Sequence, residues 1–320
     1  MNLVRWGMIG CGDVAEVKAG PGFQKASGST LAAVMRRDAV KARDFAARHG
    51  VGRVHETADA LIADPEVDAV YIATPPSSHC DLALGVARVR KPCLVEKPMA
   101  ISHHDAVRMV DAFETAGCPL WVAFYRRALP RYLHVRDLLR DQAVGRVTSV
   151  QIEVFDRLAT GERARAWRFD PAIAGGGLFL DMGSHCMDMI DFLIGPLEEV
   201  SGVAVNTGGA YRVEDVTVAA LRAGADVPVT GVWNFNADRR FDRIRLVGTG
   251  GAIVFPMFTD DDVVMTIDGV DRRFTVDNPP HVHQPLIQTI VDELHGRGRC
   301  ESTGRSGCRT AAVMERCLQR

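Results

Sequence analysis

Residues 4–15 read VRWGMIGCGDVA: a six-residue apolar run, Val4–Ile9, passes straight into Gly10-Cys11-Gly12-Asp13-Val14-Ala15. The run has the length and composition of a first β-strand, and glycine ends it too soon for a signal-peptide core or a membrane span. Beyond it, Gly10 permits a tight turn and Gly12 lets the main chain approach a pyrophosphate. The small Ala15 lets a following helix pack close to the strand. The first amides of that helix, at Asp13 and Val14, would face the anion. Any tight strand-to-helix turn can carry such glycines, so the reading depends on what surrounds them.

Around this stretch, short apolar runs alternate with amphipathic ones as far as residue 124. Strands are expected at Val4–Ile9, Leu31–Met35, Arg53–His55, Ala69–Ala73, Cys93–Val95 and Leu120–Phe124. Helical patterns lie between them, at Val40–His49, Ala58–Ala63, Ser77–Ala87 and Ser102–Ala116. Asp38, Ser77 and Ser102 stand where N-caps belong, and Gly50 and Gly117 where C-terminal caps belong. Strands and helices alternating at this spacing predict a doubly wound α/β fold with a parallel sheet and right-handed crossovers. In that setting the glycines read as a dinucleotide-binding turn.

The end of the second strand bears on the choice of dinucleotide. An acidic residue there would accept a ribose 2′-hydroxyl, but the chain has Arg36 and Arg37 ahead of Asp38. A planar guanidinium pairs with a phosphate through two parallel hydrogen bonds, which points to NADP over NAD. Two further stretches fall at strand C-termini, where doubly wound sheets bind ligands. In ATPPSSH (73–79) the prolines stiffen a turn that brings Thr74, Pro75 and His79 beside the cofactor. In VEKPM (95–99) Pro98 biases Lys97 away from helical geometry, so that it follows Glu96 at the sheet's edge. In isolation Lys97 reads as a surface lysine in a turn; beside a cofactor it could direct its ammonium at the nicotinamide end.

The whole chain has 320 residues, 47% hydrophobic and 24% charged, with a formal charge of −2. That is ordinary globular composition for about two domains, and it leaves no electrostatic footprint for nucleic acid. Eight cysteines are scattered without a C-x-x-C pair, which favours free thiols in a reducing, cytoplasmic compartment over disulfides or a thiolate zinc site.

Past residue 125 the pattern changes. A basic helical connector, Tyr125–Asp141, leads into period-2 runs at 147–155, 200–205, 215–221, 229–235, 243–247, 252–255, 263–267 and 273–276. Gly-containing turns such as Thr249-Gly250-Gly251 and Asp268-Gly269 separate several of them, as in a mostly antiparallel sheet with one buried face. The division expected is a Rossmann domain over 1–125 and a second α+β domain over 126–320. Before these strands, GGGLFLDMGSHCMD (175–188) reads as a helix from Phe179 to Ile194, closed by Gly195 and Pro196. It sets Asp181 and His185 four residues apart on one face. In isolation they are a cap and a packed histidine; beside a nucleotide domain and Lys97 they are half of an active site. A metal site from Asp181, His185 and Asp188 lacks further ligands at recognisable spacing.

GCGDVA, ATPPSSH, VEKPM and GGGLFLDMGSH, in this order and spacing, resemble the glucose–fructose oxidoreductase / inositol dehydrogenase / rhizopine-catabolism (Gfo/Idh/MocA) family along essentially the whole chain. The resemblance implies a Rossmann domain followed by an α/β domain whose large sheet is the oligomer interface, in a dimer or tetramer. It implies a catalytic trio of Lys97, Asp181 and His185, with Lys97 and His185 also touching substrate. It implies further that Arg126, Trp167 and Arg168 contact cofactor or frame the pocket. His281 and His283, in HVHQPL ahead of a helix from Leu286 to His295, read either as plain loop residues or as hydrogen-bonding partners of substrate hydroxyls. The activity implied is hydride exchange between NADP and a hydroxyl or keto carbon of a sugar, cyclitol or related polyol. Hydrolysis of glycosides through transient oxidation, or non-catalytic NADP-dependent regulation, are the family's other options.

Overall fold

The computed structural model describes residues 3–12 and 15–319. The chain divides into two units, Met1–Leu129 with Pro279–Cys308, and Pro130–Asn278 with Arg309–Arg320.

In the first unit the strands are β1 (Val4–Ile9), β2 (Ser29–Met35), β3 (Arg53–His55), β4 (Ala69–Ile72), β5 (Cys93–Val95) and β6 (Leu120–Val122). They form one parallel sheet in the order β3-β2-β1-β4-β5-β6, the doubly wound arrangement. β4 and β5 are buried on both faces, as strands covered by helices on either side must be. The helices are α1 (Gly20–Lys25), α2 (Ala39–His49), α3 (Ala58–Ala63), α4 (His79–Arg88) and α5 (His103–Ala116). Asp38 and Ser102 cap α2 and α5 through their side chains, and Gly50 and Gly117 end them in the left-handed region. Ser77 is no cap. A 3₁₀ turn, Pro76–Ser78, precedes α4, and the hydroxyl of Ser78 lies 2.7 Å from Thr74 Oγ1 and 2.9 Å from Pro75 O.

The second unit carries α6 (Pro130–Arg140), α7 (Pro171–Ala174) and α8 (Ser184–Leu193), together with β7 (Val147–Phe155), β8 (Leu197–Val205), β9 (Val216–Ala223), β10 (Val227–Asn234), β11 (Phe241–Gly248), β12 (Ala252–Phe255), β13 (Val263–Ile267) and β14 (Val270–Phe274). The sheet order is β14-β13-β12-β11-β7-β10-β9-β8, antiparallel except between β7 and β10. Burial alternates along β7, β10 and β11, so Ile152, Trp233 and Leu246 face the core while Gln151, Thr230 and Arg245 face out. Thr249-Gly250-Gly251 is a hairpin turn between β11 and β12. β14 starts three residues before the expected 273. Asp268 and Gly269 both take positive φ, which makes a two-residue hairpin, and the strand resumes at once as Val270↔Ile267. Val270–Arg273 are all exposed, so no alternation marks this edge strand in the sequence.

The linear division at residue 125 gives way to a returning segment that carries α9 (Gln284–Leu294) and the start of α10 (Gly304–Cys317). α9 lies against α1 at Gly22, where a Cβ would sit 3.0 Å from Ile287 and 3.2 Å from the Gln284 nitrogen. Ser302 accepts from Val122 N and donates its hydroxyl to Val122 O, and Thr303 bridges Trp121. The segment thus covers the β6 edge, which would otherwise offer free pairing groups.

Candidate active site

At the C-terminal end of β1, Gly10 has φ +96°, and a Cβ there would lie 2.8 Å from the Ala73 main chain. Glycine is required both by the turn and by the neighbouring loop. At Gly12 no described atom lies within 4 Å of a Cβ position, so the main chain faces open space. Ala15 is fully buried, as close packing demands, but the helix it opens is not a continuous α-helix. Ala15–Ala19 is π-helical and α1 follows. Pro21 brings no N–H to the ladder, and the turn before it widens. Asp13 and Val14, also expected to hold the cofactor, lie outside the described residues.

Arg36 directly follows β2 and is half-buried; its Nη1 donates to the Cys11 carbonyl at 2.9 Å, which fixes the guanidinium against the glycine turn. Arg37 points into solvent. Thr74 and Pro75 are half-buried beside Gly10. These groups fit a dinucleotide: an open main-chain turn, a helix start and an anchored cation.

Lys97 is half-buried just past β5, and its N–H donates to Glu96 Oε2 at 3.1 Å. The other oxygen of that carboxylate accepts from Tyr71 OH at 2.5 Å and lies 2.9 Å from His283 Nε2. Burial works to raise the Glu96 pKa, but the His283 hydrogen bond, its charge, Tyr71 and Lys97 outweigh it and bring it down to about 2. Glu96 is therefore an ionised, internally satisfied carboxylate. It is expected from the sequence to contact cofactor; in the structure both its oxygens accept hydrogen bonds from the protein. His283 is likewise no substrate contact, being 1% exposed and stacked 4.5 Å from the Tyr125 ring. His79 is also withdrawn from the ligand. It is fully buried, with Nδ1 3.0 Å from Pro98 O and Nε2 2.7 Å from Thr74 O. Burial lowers its pKa against the pull of those carbonyls, and the ring staples the ATPP loop to the E-K-P turn. Arg126 is half-buried and donates to Tyr125 OH at 2.9 Å.

In the second unit, Gly175 ends α7 with φ +80°. Gly177 N donates to Glu214 Oε1 at 2.8 Å, and a Cβ at Gly177 would lie 2.6 Å from Glu214 O. The glycines thus admit the Val213–Glu214 chain at close range. The helix expected from Phe179 opens instead as a π-helical turn, Phe179–Gly183, before α8. The Phe179 ring lies over Gly183, where any Cβ would be 2.6 Å away, and its edge meets Trp233 at 4.9 Å. Asp181 sits in this widened turn, a distortion that recurs at functional sites. Its Oδ2 is 3.6 Å from Arg168 Nε, and the Arg168 guanidinium stands 4.6 Å from the exposed Trp167 ring. Phe169 anchors this turn by stacking on Tyr211. His185 is buried in the first turn of α8, its ring edge-on to Phe258 at 6.2 Å. Asp242 Oδ2 accepts from the N–H groups of Met257 and Phe258 and so fixes that wall. Farther along α8, Asp191 accepts from Arg309 Nε and Nη2, each at 2.8 Å.

Sequence reasoning missed Glu214, Tyr71, Asp242 and Phe258. Each acts through a contact far away in the chain and sits in no motif.

The geometry is that of a nucleotide-binding Rossmann unit followed by an α/β unit bearing an Asp–His helix. Residues 4–124 match the model of an oxidoreductase family with an NAD-binding Rossmann fold, and residues 132–254 match the Gfo/Idh/MocA C-terminal domain. The chain is 39% identical to Oxidoreductase P35 of Formosa agariphila, over 91% of its own length and 90% of the relative's. It is 33% identical to inositol 2-dehydrogenase 2 of Saccharopolyspora erythraea, over 99% and 92%. Among solved structures, levoglucosan dehydrogenase in complex with NADH and levoglucosan superposes with a TM-score of 0.89. That match covers 99% of this chain and 96% of the other at 21% identity, a likeness of fold. The protein belongs to the Gfo/Idh/MocA family and is an oxidoreductase. Among the described residues no helix is long and apolar enough to cross a membrane.

Proposed function

We propose that the protein exchanges a hydride between NADP and a hydroxyl or keto carbon of a sugar, cyclitol or related polyol, with Lys97, Asp181 and His185 as catalytic residues. The observation that carries this reading is that half-buried Lys97 leaves the same end of the parallel sheet as the open glycine turn and Arg36. Relatives named for inositol, 1,5-anhydro-D-fructose and levoglucosan chemistry support a polyol-type substrate.

The dinucleotide would be held by Gly10, Gly12, Ala15, Arg36, Thr74 and Pro75, with Arg126, Trp167 and Arg168 contributing; when bound, it supplies the hydride chemistry. The chain's own task is to move one proton and steady one oxygen. His185 takes the hydroxyl proton in oxidation and returns it in reduction, a role suited to an imidazole. Asp181 orients that ring and stabilises its charged form. Lys97 donates a hydrogen bond to the reacting oxygen as negative charge develops there.

The exposed sheet face supports self-association. Val203 pairs with Val218, and both are exposed, as is Val205. We take this face as the interface of a homo-oligomer, checked by sedimentation of Val218→Lys.

NADPH fluorescence against a panel of sugars, inositols and keto-sugars tests the assignment. Turnover of a keto-sugar is expected, with Lys97→Ala and His185→Ala losing it while still binding NADPH. Near-normal turnover by Lys97→Ala sinks the reading.

A further inference from the structure

We propose that His283, through the carboxylate of Glu96, is a positioning residue that fixes the main chain of Lys97; this rests on the reading of Lys97 as catalytic. The two residues are 187 positions apart, and both are buried. A buried carboxylate is costly unless its lone pairs are satisfied, and an ionised one only accepts. Here Oε1 takes Tyr71 OH and His283 Nε2, while Oε2 takes the N–H of Lys97 itself. With Oε1 pinned from two directions, the carboxylate cannot rotate, and Oε2 stays on the peptide that carries the lysine. On the far side of Lys97, His79 holds the Pro98 carbonyl at 3.0 Å. The main chain is thus held at the N–H of Lys97 itself and one residue beyond it, at the Pro98 carbonyl.

The other nitrogen of His283 separates this role from plain packing. Nδ1 is buried without a hydrogen-bond partner among the described residues, and the ring stacks on Tyr125. A phenyl or aliphatic side chain would fill such a slot without leaving a polar atom unsatisfied. What the imidazole adds is the Nε2 donor to Glu96. The sequence carries this device as VEKPM plus a histidine that no local pattern connects to it.

The test measures kcat, KM and NADPH affinity for the full-length protein, with the sugar or keto-sugar the wild type turns over fastest. His283→Ala is expected to lower kcat by about 10- to 100-fold, the scale on which small misplacements act, with NADPH affinity unchanged. His283→Gln, whose amide can donate to the same oxygen, should recover most of the loss. In a Lys97→Ala background, His283→Ala should cost nothing more, because the residues act as one unit. Since His283→Ala opens a hole, Glu96→Gln, which keeps the shape, carries the same comparison. A wild-type kcat in folded His283→Ala or Glu96→Gln overturns the proposal, as do losses that multiply with that of Lys97→Ala. Unchanged turnover in Lys97→Ala alone overturns it differently, by removing the catalytic lysine on which it rests.

Discussion

Arg36→Ala should change which dinucleotide the protein uses. The Cys11 carbonyl already holds one guanidinium nitrogen of Arg36, so the group is set beside the glycine turn before a ligand arrives. Little side-chain entropy remains to be lost on binding, and the remaining N–H groups present an edge suited to a 2′-phosphate. A hydrogen bond to a charged group contributes about 1.5–3 kcal/mol, and 1.4 kcal/mol is tenfold in affinity. The KM for NADP should therefore rise about 10- to 150-fold in Arg36→Ala, while that for NAD, which has no phosphate there, stays nearly constant. Arg37 is exposed, and its removal should cost no more than the ~1 kcal/mol of a surface ion pair, about fivefold. Steady-state kinetics with both cofactors at fixed substrate decides the matter. A wild type that prefers NAD, or an unchanged cofactor ratio in Arg36→Ala, refutes the reasoning.

Three further outcomes follow from the packing. Gly177→Ala drives a Cβ to 2.6 Å from the Glu214 carbonyl. Overpacking of this kind costs about 1–3 kcal/mol, so melting should drop by about 2–10 °C, and an unshifted transition would show that the loop yields freely. Arg309→Ala takes the bidentate partner from Asp191, whose side chain is 3% exposed. Because Arg309 is itself 45% exposed, the loss should be about 1–3 kcal/mol in urea unfolding, and a loss near zero contradicts the pairing. Glu96 is held at a pKa of about 2, below its ordinary 4.5, so its contribution is whole above pH 4.5 and disappears as pH falls toward 2. The stability gap between wild type and Glu96→Gln should shrink over that interval; a gap that is constant down to pH 2 argues against an ionised Glu96.

Much of the fold is legible because its signals are local. The β1 run with Gly10, the capping of α2 by Asp38 and Gly50, and the alternation along β7 all arise from neighbours a few residues apart. The candidate site is legible where main-chain geometry demands a residue type, as at Gly10 and Gly177. It is not legible where a side chain's partner is remote. Nothing near His283 or His79 distinguishes a ligand-facing imidazole from one turned inward, and the difference lies in Glu96 and in the Thr74 and Pro98 carbonyls. The π-helical turns escape for another reason. Helical periodicity does not register one added residue per turn, and only Pro21 and the Phe179–Gly183 contact mark where it occurs.

The returning segment Pro279–Cys308 gives the order of synthesis a physical consequence. When the ribosome has made β6, the residues that seal its border and the distant donor to Glu96 have not yet been made. Another 180 residues separate Val122 from Ser302, and loops of this length close slowly. A gene cut after residue 125 should therefore yield a sticky fragment rather than a free-standing nucleotide-binding module.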